Sequence, residues 1–238
     1  MAHEPKPWTE ELWESADGLY RAVLDHPFLR GLTDGSLPRE AFLHFVHQDA
    51  HYLREYARAL AVCAAKAPTE DDVRALADDA VGAIAAEQTM HAEFVAALAG
   101  AGTGVESGSG SGSGSGGPAD PGVLPSTQAY TSYLLATVHG GSFAEGLAAV
   151  LPCYWIYARV GERLLAASSP DPLYARWIAA YGDEAFQSVV RRVLALADRV
   201  GEELSAAERA RGVRHFRATA RYEWMFWDAA WRGETWPV

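Results

Sequence analysis

The sequence of 238 residues contains little cysteine and no long hydrophobic run. Its two cysteines, Cys63 and Cys153, lie far apart and lack the spacing of a metal site, so neither a disulfide framework nor a zinc site is indicated. No stretch of about 18 apolar residues occurs, and the first residues contain no apolar segment, so we expect neither a membrane span nor a signal peptide. These absences favour a protein of the reducing cytoplasm.

Positive charge is also scarce, since 20 Lys and Arg residues are outnumbered by 31 Asp and Glu residues. The formal net charge is -11. Nucleic acids and anionic membranes are bound by clustered Lys and Arg, so we expect neither as a partner. The hydrophobic content of 49% is enough for a full core, which favours one domain over residues 1–238.

Alternating, strand-like runs are missing as well, and every long periodic segment has helical spacing. The sequence therefore predicts an all-α protein. Three helix starts carry a hydroxyl with an acid three residues later: Thr69 with Asp72, Ser142 with Glu145, and Ser205 with Glu208. The predicted helices cover about residues 10–24, 39–66, 70–98, 127–138, 143–167, 172–180, 184–200 and 206–231.

A run of alternating glycine and serine interrupts the helical pattern. It fills most of a segment at about residues 106–125 that also contains Pro118 and Pro121. Such a run has no apolar side chains to bury, so nothing offsets the conformational entropy that it would lose on becoming ordered. It therefore predicts a flexible surface loop. Helical spacing resumes after it, which favours one bundle with a long loop over two domains.

Cys153 directly follows Pro152 inside a long apolar helical segment. A proline inside a helix cannot donate to the carbonyl four residues earlier and costs about 3 kcal/mol, so it predicts a kink and a compensating role. The thiol lies on the apolar face, with small residues before it and Tyr157 one turn later. Two interpretations remain open: a ligand site, or a small cysteine in a tight helix contact.

Two acids lie where apolar residues are expected. Asp49 falls within the apolar face of its helix, and Glu223 lies beside the apolar stripe of the last helix, between aromatic residues. A buried carboxylate must be paired, hydrogen bonded or in contact with a polar ligand. Burial raises a carboxyl pKa, and a carboxyl that titrates near neutral pH can donate and accept protons in catalysis.

Metal binding has weaker support. His44, His47 and His51 lie opposite Asp49 on the polar face of the same helix, so we expect them in solvent or a subunit contact. Glu87 and His91 lie four residues apart, whereas a di-iron bundle uses Glu-x-x-His pairs on two helices. We therefore expect no metal.

Five segments together resemble the TenA/thiaminase II family, over nearly the whole length of the sequence. The second and third, YTSY and LPCYWIY, are the most specific. The segments are residues 45–52 (FVHQDAHY), 130–133 (YTSY), 151–157 (LPCYWIY), 178–182 (IAAYG) and 222–227 (YEWMFW).

The resemblance implies a heme-oxygenase-like multi-helix bundle that binds no heme, needs no cofactor and forms a homotetramer. It also implies thiamine salvage, with conversion of 4-amino-5-aminomethyl-2-methylpyrimidine to the hydroxymethyl pyrimidine and ammonia, and cleavage of thiamine as a further activity. By residue, it implies Cys153 as the nucleophile and Glu223 as the proton carrier. The substrate-binding residues that it implies are Asp49, Tyr130, Tyr157 and Tyr181.

Two other functions remain open on the same residues. The pocket could bind thiamine-related ligands without turnover, as a regulator or carrier does. A di-metal oxidase on the same bundle is the less favoured alternative. The expected chemistry of the hydrolase is addition of the Cys153 thiolate to the pyrimidine ring, which breaks the aromaticity that otherwise blocks displacement.

Overall fold

A computed structural model describes residues 6–101 and 120–238, without the side chains of Glu87, His91 and some other residues in the second half of the fourth helix. The described residues form nine α-helices and no strand, which confirms the all-α prediction. The helices are α1 (Trp8–Leu24), α2 (Pro27–Asp34), α3 (Arg39–Lys66), α4 (Glu70–Ala101), α5 (Pro125–Gly140), α6 (Phe143–Leu165), α7 (Pro172–Gly182), α8 (Glu184–Glu202) and α9 (Ala206–Arg232).

The three capping residues predicted from the sequence each start a helix in the structure. Complete capping boxes, in which side chain and backbone bond in both directions, start α6 at Ser142 and α9 at Ser205. The Thr69 hydroxyl accepts the amide N–H of Asp72 at 3.2 Å and starts α4. Local capping chemistry therefore sets several of the boundaries.

Helix α2 is the one element of the described structure that the sequence pattern missed. Its eight residues include Pro27 and Gly31, which resemble a connecting loop. Pro27 instead occupies the first turn, where its missing N–H costs nothing, and His26 caps the helix by accepting the N–H of Phe28 at 3.2 Å. Gly35 ends the helix with φ +80°, a conformation that favours glycine.

Helices α3, α6 and α9 pack against one another around the core, and α5 packs against all three. Helix α4 lies along α3, while α7 and α8 pack on α6. The core is rich in large aromatic side chains, among them Phe45, Trp177 and Trp227. No helix among the described residues is long and apolar enough to span a membrane.

The part of the polar face of α3 around His47 is covered, which corrects the expectation that this histidine lies in solvent; His44 and His51 are half-buried. His47 and Gln48 are both buried. The reason is the segment 120–124, which lies over this face: the Gln48 side-chain amide donates to the Gly122 carbonyl at 2.8 Å and accepts from the Leu124 N–H at 3.0 Å. His51 bonds Asp120 at 3.0 Å. Residues 102–119, which include the Gly/Ser run, lie outside the described part of the chain.

The end of α7 approaches α6 at a glycine. A Cβ atom added to Gly161 would overlap the backbone carbonyl of Tyr181 and lie 2.7 Å from the nitrogen of Gly182. Because these obstacles are backbone atoms, they cannot move aside as a flexible side chain would. Gly161 therefore sets how closely Tyr181 can approach Tyr157, one turn before Gly161 on α6.

We expect Gly161→Ala to lower the free energy of unfolding by about 1–3 kcal/mol, because α7 must move away from α6. The matched control is Gly18→Ala in α1, where an added Cβ would meet no atom within 4 Å. That change should stabilise the protein by about 0.5–1 kcal/mol through helix propensity. Denaturant unfolding of both variants checks the prediction, and equal shifts in the two would contradict it.

Candidate active site

The six side chains singled out in the sequence converge between five helices. Helix α3 carries Asp49, α5 carries Tyr130, and α6 carries both Cys153 and Tyr157. Helix α7 adds Tyr181, and α9 adds Glu223. The charges of Asp49 and Glu223 each act on Cys153, Tyr157 and Tyr181. The structure therefore brings all six into one site.

Glu223 is the most deeply buried acid of this site, with 1% of its surface exposed. Its Oε1 accepts a hydrogen bond of 2.6 Å from the Tyr130 hydroxyl. Burial raises the pKa of Glu223 to about 8; the Tyr130 bond opposes the rise, and the nearby Asp49 charge adds to it. Near neutral pH, the carboxyl is therefore mostly protonated and can donate a proton.

Asp49 lies on the buried face of α3 with 8% of its surface exposed. Its charge raises the pKa of Glu223, so the two carboxyl groups are close enough to disfavour simultaneous ionisation. The oxygens of Asp49 can accept hydrogen bonds from a ligand, and the protonated carboxyl of Glu223 can donate one.

Cys153 keeps part of its surface exposed, unlike the buried residues on either side of it. Burial of the thiol group raises its pKa well above the usual value, and the Glu223 charge raises it further. The Tyr52 and Tyr56 hydroxyls oppose the shift by favouring the thiolate. The free protein therefore holds a protonated thiol, and a proton acceptor or a bound ligand is needed to activate it.

Aromatic rings line the other side of the site. Tyr157 and Tyr181 lie with ring centroids 4.9 Å apart, and Tyr157 contacts Trp227 at 5.2 Å. Trp227 stacks on Phe45 at 4.9 Å with 9° between the planes. Flat ring surfaces of this kind suit a planar heteroaromatic ligand.

Tyr52 and Tyr56 also belong to the site, in addition to the six residues predicted from the sequence. Tyr56 donates to the Val150 carbonyl at 2.9 Å, and Tyr52 packs on Tyr130 with ring centroids 4.8 Å apart. The Tyr52 hydroxyl is buried and makes no hydrogen bond of normal geometry to the described residues. Their spacing from Asp49, three and seven residues along one helix face, was the signal that could have found them.

No group of three or more His, Cys, Asp or Glu side chains that could hold a metal occurs in the described part of the chain. The side chains of Glu87 and His91, which the sequence offered as a weak metal pair, lie outside that part. Within the site itself, the two carboxyl groups, the thiol and the tyrosines provide acids, a nucleophile and donors.

Comparison with known proteins agrees with this geometry. The chain matches the TENA/THI-4/PQQC family over residues 13–99 and 118–233. It is 33% identical to the aminopyrimidine aminohydrolase of Bacillus subtilis, over 96% of this chain and 92% of that protein. It is also 33% identical to the thiamine biosynthesis multifunctional protein ThiED of Corynebacterium efficiens, over 95% of this chain and 28% of that protein.

Solved structures confirm the fold. A TenA homologue from P. horikoshii superposes with a TM-score of 0.79 at 27% identity, covering 96% of this chain and 100% of that one. A domain of unknown function from Shewanella denitrificans, described as having a heme oxygenase-like fold, superposes with a TM-score of 0.64 at 13% identity, covering 94% and 92% of the two chains. The helical bundle is therefore heme-oxygenase-like, as expected.

The raised pKa of Glu223 predicts a pH-dependent stability difference. The folded protein holds this proton up to about pH 8, whereas the unfolded chain loses it near the ordinary value of 4.5. Between these values the folded state binds the extra proton, so the contribution of Glu223 to stability falls as pH rises, by at most about 1.4 kcal/mol per pH unit.

Glu223→Gln removes this titration, so the variant should gain stability relative to the original protein as pH rises through that window. Other groups titrate in both proteins and cancel in the difference. Urea unfolding of the two proteins from about pH 5 to pH 9 checks the prediction. A difference in unfolding free energy that does not change with pH would show that Glu223 has an ordinary pKa.

Proposed function

Because the chain belongs to the TENA/THI-4/PQQC family, we propose that it is an aminopyrimidine aminohydrolase of thiamine salvage. Its substrate is 4-amino-5-aminomethyl-2-methylpyrimidine, and its products are the 5-hydroxymethyl pyrimidine and ammonia. Cleavage of thiamine to the same pyrimidine and a thiazole is a second, weaker activity. The observation that carries the proposal is that two buried acids, Glu223 and Asp49, share one site with the thiol of Cys153 and with Tyr130, which bonds Glu223 at 2.6 Å.

Cys153 is the nucleophile of the proposed reaction. Its sulfur bonds to the ring carbon next to the substituted position, and the thiol hydrogen ends on a ring nitrogen, so the ring loses its aromaticity. The amine then leaves as ammonia and produces an exocyclic methylene. Water adds to that carbon, and loss of the thiol restores both the aromatic ring and the S–H bond.

Glu223 carries the protons of these steps. The carboxyl holds a proton near neutral pH and can give it to the ring nitrogen as the thiol attacks. The resulting carboxylate can take up the proton that the thiol loses, which removes the need for a separate cation beside Cys153. A Tyr130 bond of 2.6 Å stabilises the carboxylate while it is present.

Asp49 and the tyrosines bind the substrate in this proposal. The Asp49 carboxylate is a hydrogen-bond acceptor for the 4-amino group, which carries two donors. Tyr130, Tyr157 and Tyr181 line the pyrimidine, and the last two supply ring surface against it. Tyr130 also bonds Glu223 and so fixes the position of that carboxyl.

In this proposal the protein acts in the cytoplasm, because a catalytic thiol must stay reduced and the cytoplasm is a reducing compartment. It acts as a homotetramer, without nucleic acid or membrane as a partner. An exposed apolar stripe on α4 supports the assembly, because apolar residues recur on it at helical spacing. The stripe consists of Val73, Ala77, Val81, Ile84 and Ala85.

Release of ammonia and hydroxymethyl pyrimidine tests the function, with the aminomethyl pyrimidine and thiamine as parallel substrates. We expect turnover of the first, slower turnover of the second, and loss of at least about a thousandfold in kcat in Cys153→Ser. That variant should bind the pyrimidine within about tenfold of the original affinity, since it keeps Asp49 and the tyrosines. Binding without turnover in the unmodified protein would favour a carrier or regulator, and stoichiometric iron with oxidase activity would favour the di-metal alternative.

The α4 stripe predicts the assembly state. Sedimentation should give four times the 25.7 kDa mass of one chain. Replacing both Val81 and Ile84 with glutamate should dissociate the protein, because it places charges in an apolar contact. Ala195→Glu, on an exposed position of α8, is the matched control and should leave the tetramer intact. A monomer of the original protein would contradict the assembly.

A further inference from the structure

The turn of α6 that carries Cys153 lacks one of its own hydrogen bonds. Pro152 has no N–H, so the Ala148 carbonyl loses its partner within the helix. A helix weakened in this way needs contacts from other elements to keep one conformation. Two such contacts reach this turn from neighbouring helices.

The first contact comes from α3 and the second from α4. The Tyr56 hydroxyl donates to the Val150 carbonyl at 2.9 Å, just before the proline. The Tyr154 hydroxyl, just after Cys153, donates to Asp79 Oδ2 on α4 at 2.8 Å. The two tyrosine rings also touch each other edge to face, with centroids 5.8 Å apart.

Asp79 is in turn held by an arginine of α8. Arg192 Nη2 donates to Asp79 Oδ1 at 2.5 Å, and only 6% of the Asp79 side chain is exposed. Arg192 Nη1 is buried and makes no hydrogen bond to the described residues. Forming the pair therefore costs this nitrogen its hydrogen bonds to water. The pair is buried on the Asp79 side only, because 39% of the Arg192 side chain is exposed. An ion pair with an exposed arginine adds little stability, so fixing the orientation of the Asp79 carboxylate is its more plausible contribution.

We propose that Tyr154, Asp79 and Arg192, called here the Tyr154 network, position the Cys153 thiol by fixing the proline-weakened turn of α6 against α4. These are positioning residues, because they act through the helix and do not touch the substrate. The inference rests on the proposed function for its catalytic consequence, but the geometry of the thiol can be measured without turnover.

The fold supplies a matched control for the network. Arg199 and Asp72 join the same two helices through a bond of 2.5 Å, one heptad away on each helix. This second pair has the same arginine-to-aspartate bond length, but its aspartate is not the one that Tyr154 bonds. Arg199→Met therefore removes the same kind of ion pair without touching the turn that carries Cys153.

The first test compares kinetics in Tyr154→Phe, Arg192→Met and Arg199→Met. Loss of the network should lower kcat about 10- to 100-fold while KM stays within about threefold, since a displaced nucleophile affects the chemical step and not the binding of the ring. Arg199→Met should keep both constants, and Arg192→Lys should recover part of the lost kcat. Thermal unfolding of the two arginine variants checks that their stabilities match.

The second test measures the thiol directly. Native protein is treated with iodoacetamide across a pH series, and modification of the Cys153 peptide is followed by mass spectrometry. Tyr154→Phe and Arg192→Met should change the alkylation rate by at least about threefold relative to Arg199→Met. Alkylation and kcat within about twofold of that control in both variants would overturn the proposal.

The two tests separate the failure of one proposal from the failure of the other. If the unmodified protein shows no turnover, the proposed function fails, and the alkylation rates alone decide whether the Tyr154 network positions the thiol. Turnover together with unchanged alkylation and kcat in the network variants leaves the function standing and refutes the network.

Discussion

The free-energy cost of ionising a buried carboxyl group determines the protonation of Glu223, and the chemistry of the site depends on it. Glu223 is almost fully buried and accepts a short hydrogen bond from Tyr130. Its charge is therefore disfavoured, and the charge of Asp49 disfavours it further. One of two neighbouring acids is thus protonated near neutral pH, and the same burial keeps the Cys153 thiol protonated.

The helical bundle produces this environment by bringing side chains from distant parts of the chain to one place. Gly161 allows Tyr181 to approach α6, and the ring of Trp227 lies between Phe45 and Tyr157. Such packing excludes water from Glu223. The free-energy cost of ionising its carboxyl therefore rises, and its hydrogen bond with Tyr130 becomes stronger. The same packing explains why a proline is tolerated beside the cysteine, because neighbouring helices hold the turn.

Much of this architecture was predictable from local pattern. Helix spacing, capping residues and misplaced acids are all local signals, and they gave the long helices, Asp49 and Glu223. The burial of His47 and Gln48 was not predictable, because the segment that covers them follows the Gly/Ser run far along the chain. Nor could the sequence pair Tyr154 with Asp79, since nothing local relates one residue on α6 to another on α4. The roles of the six site residues stay predictions.

The protonation of Glu223 near neutral pH can be measured by titrating its carboxyl with infrared difference spectroscopy. Spectra of the original protein minus Glu223→Gln isolate the carboxyl stretch of this one acid. We expect a protonated carboxyl band at neutral pH that disappears with a midpoint near pH 8. A carboxylate band already complete at neutral pH would contradict it, because Glu223 would then have no proton to give to the pyrimidine ring.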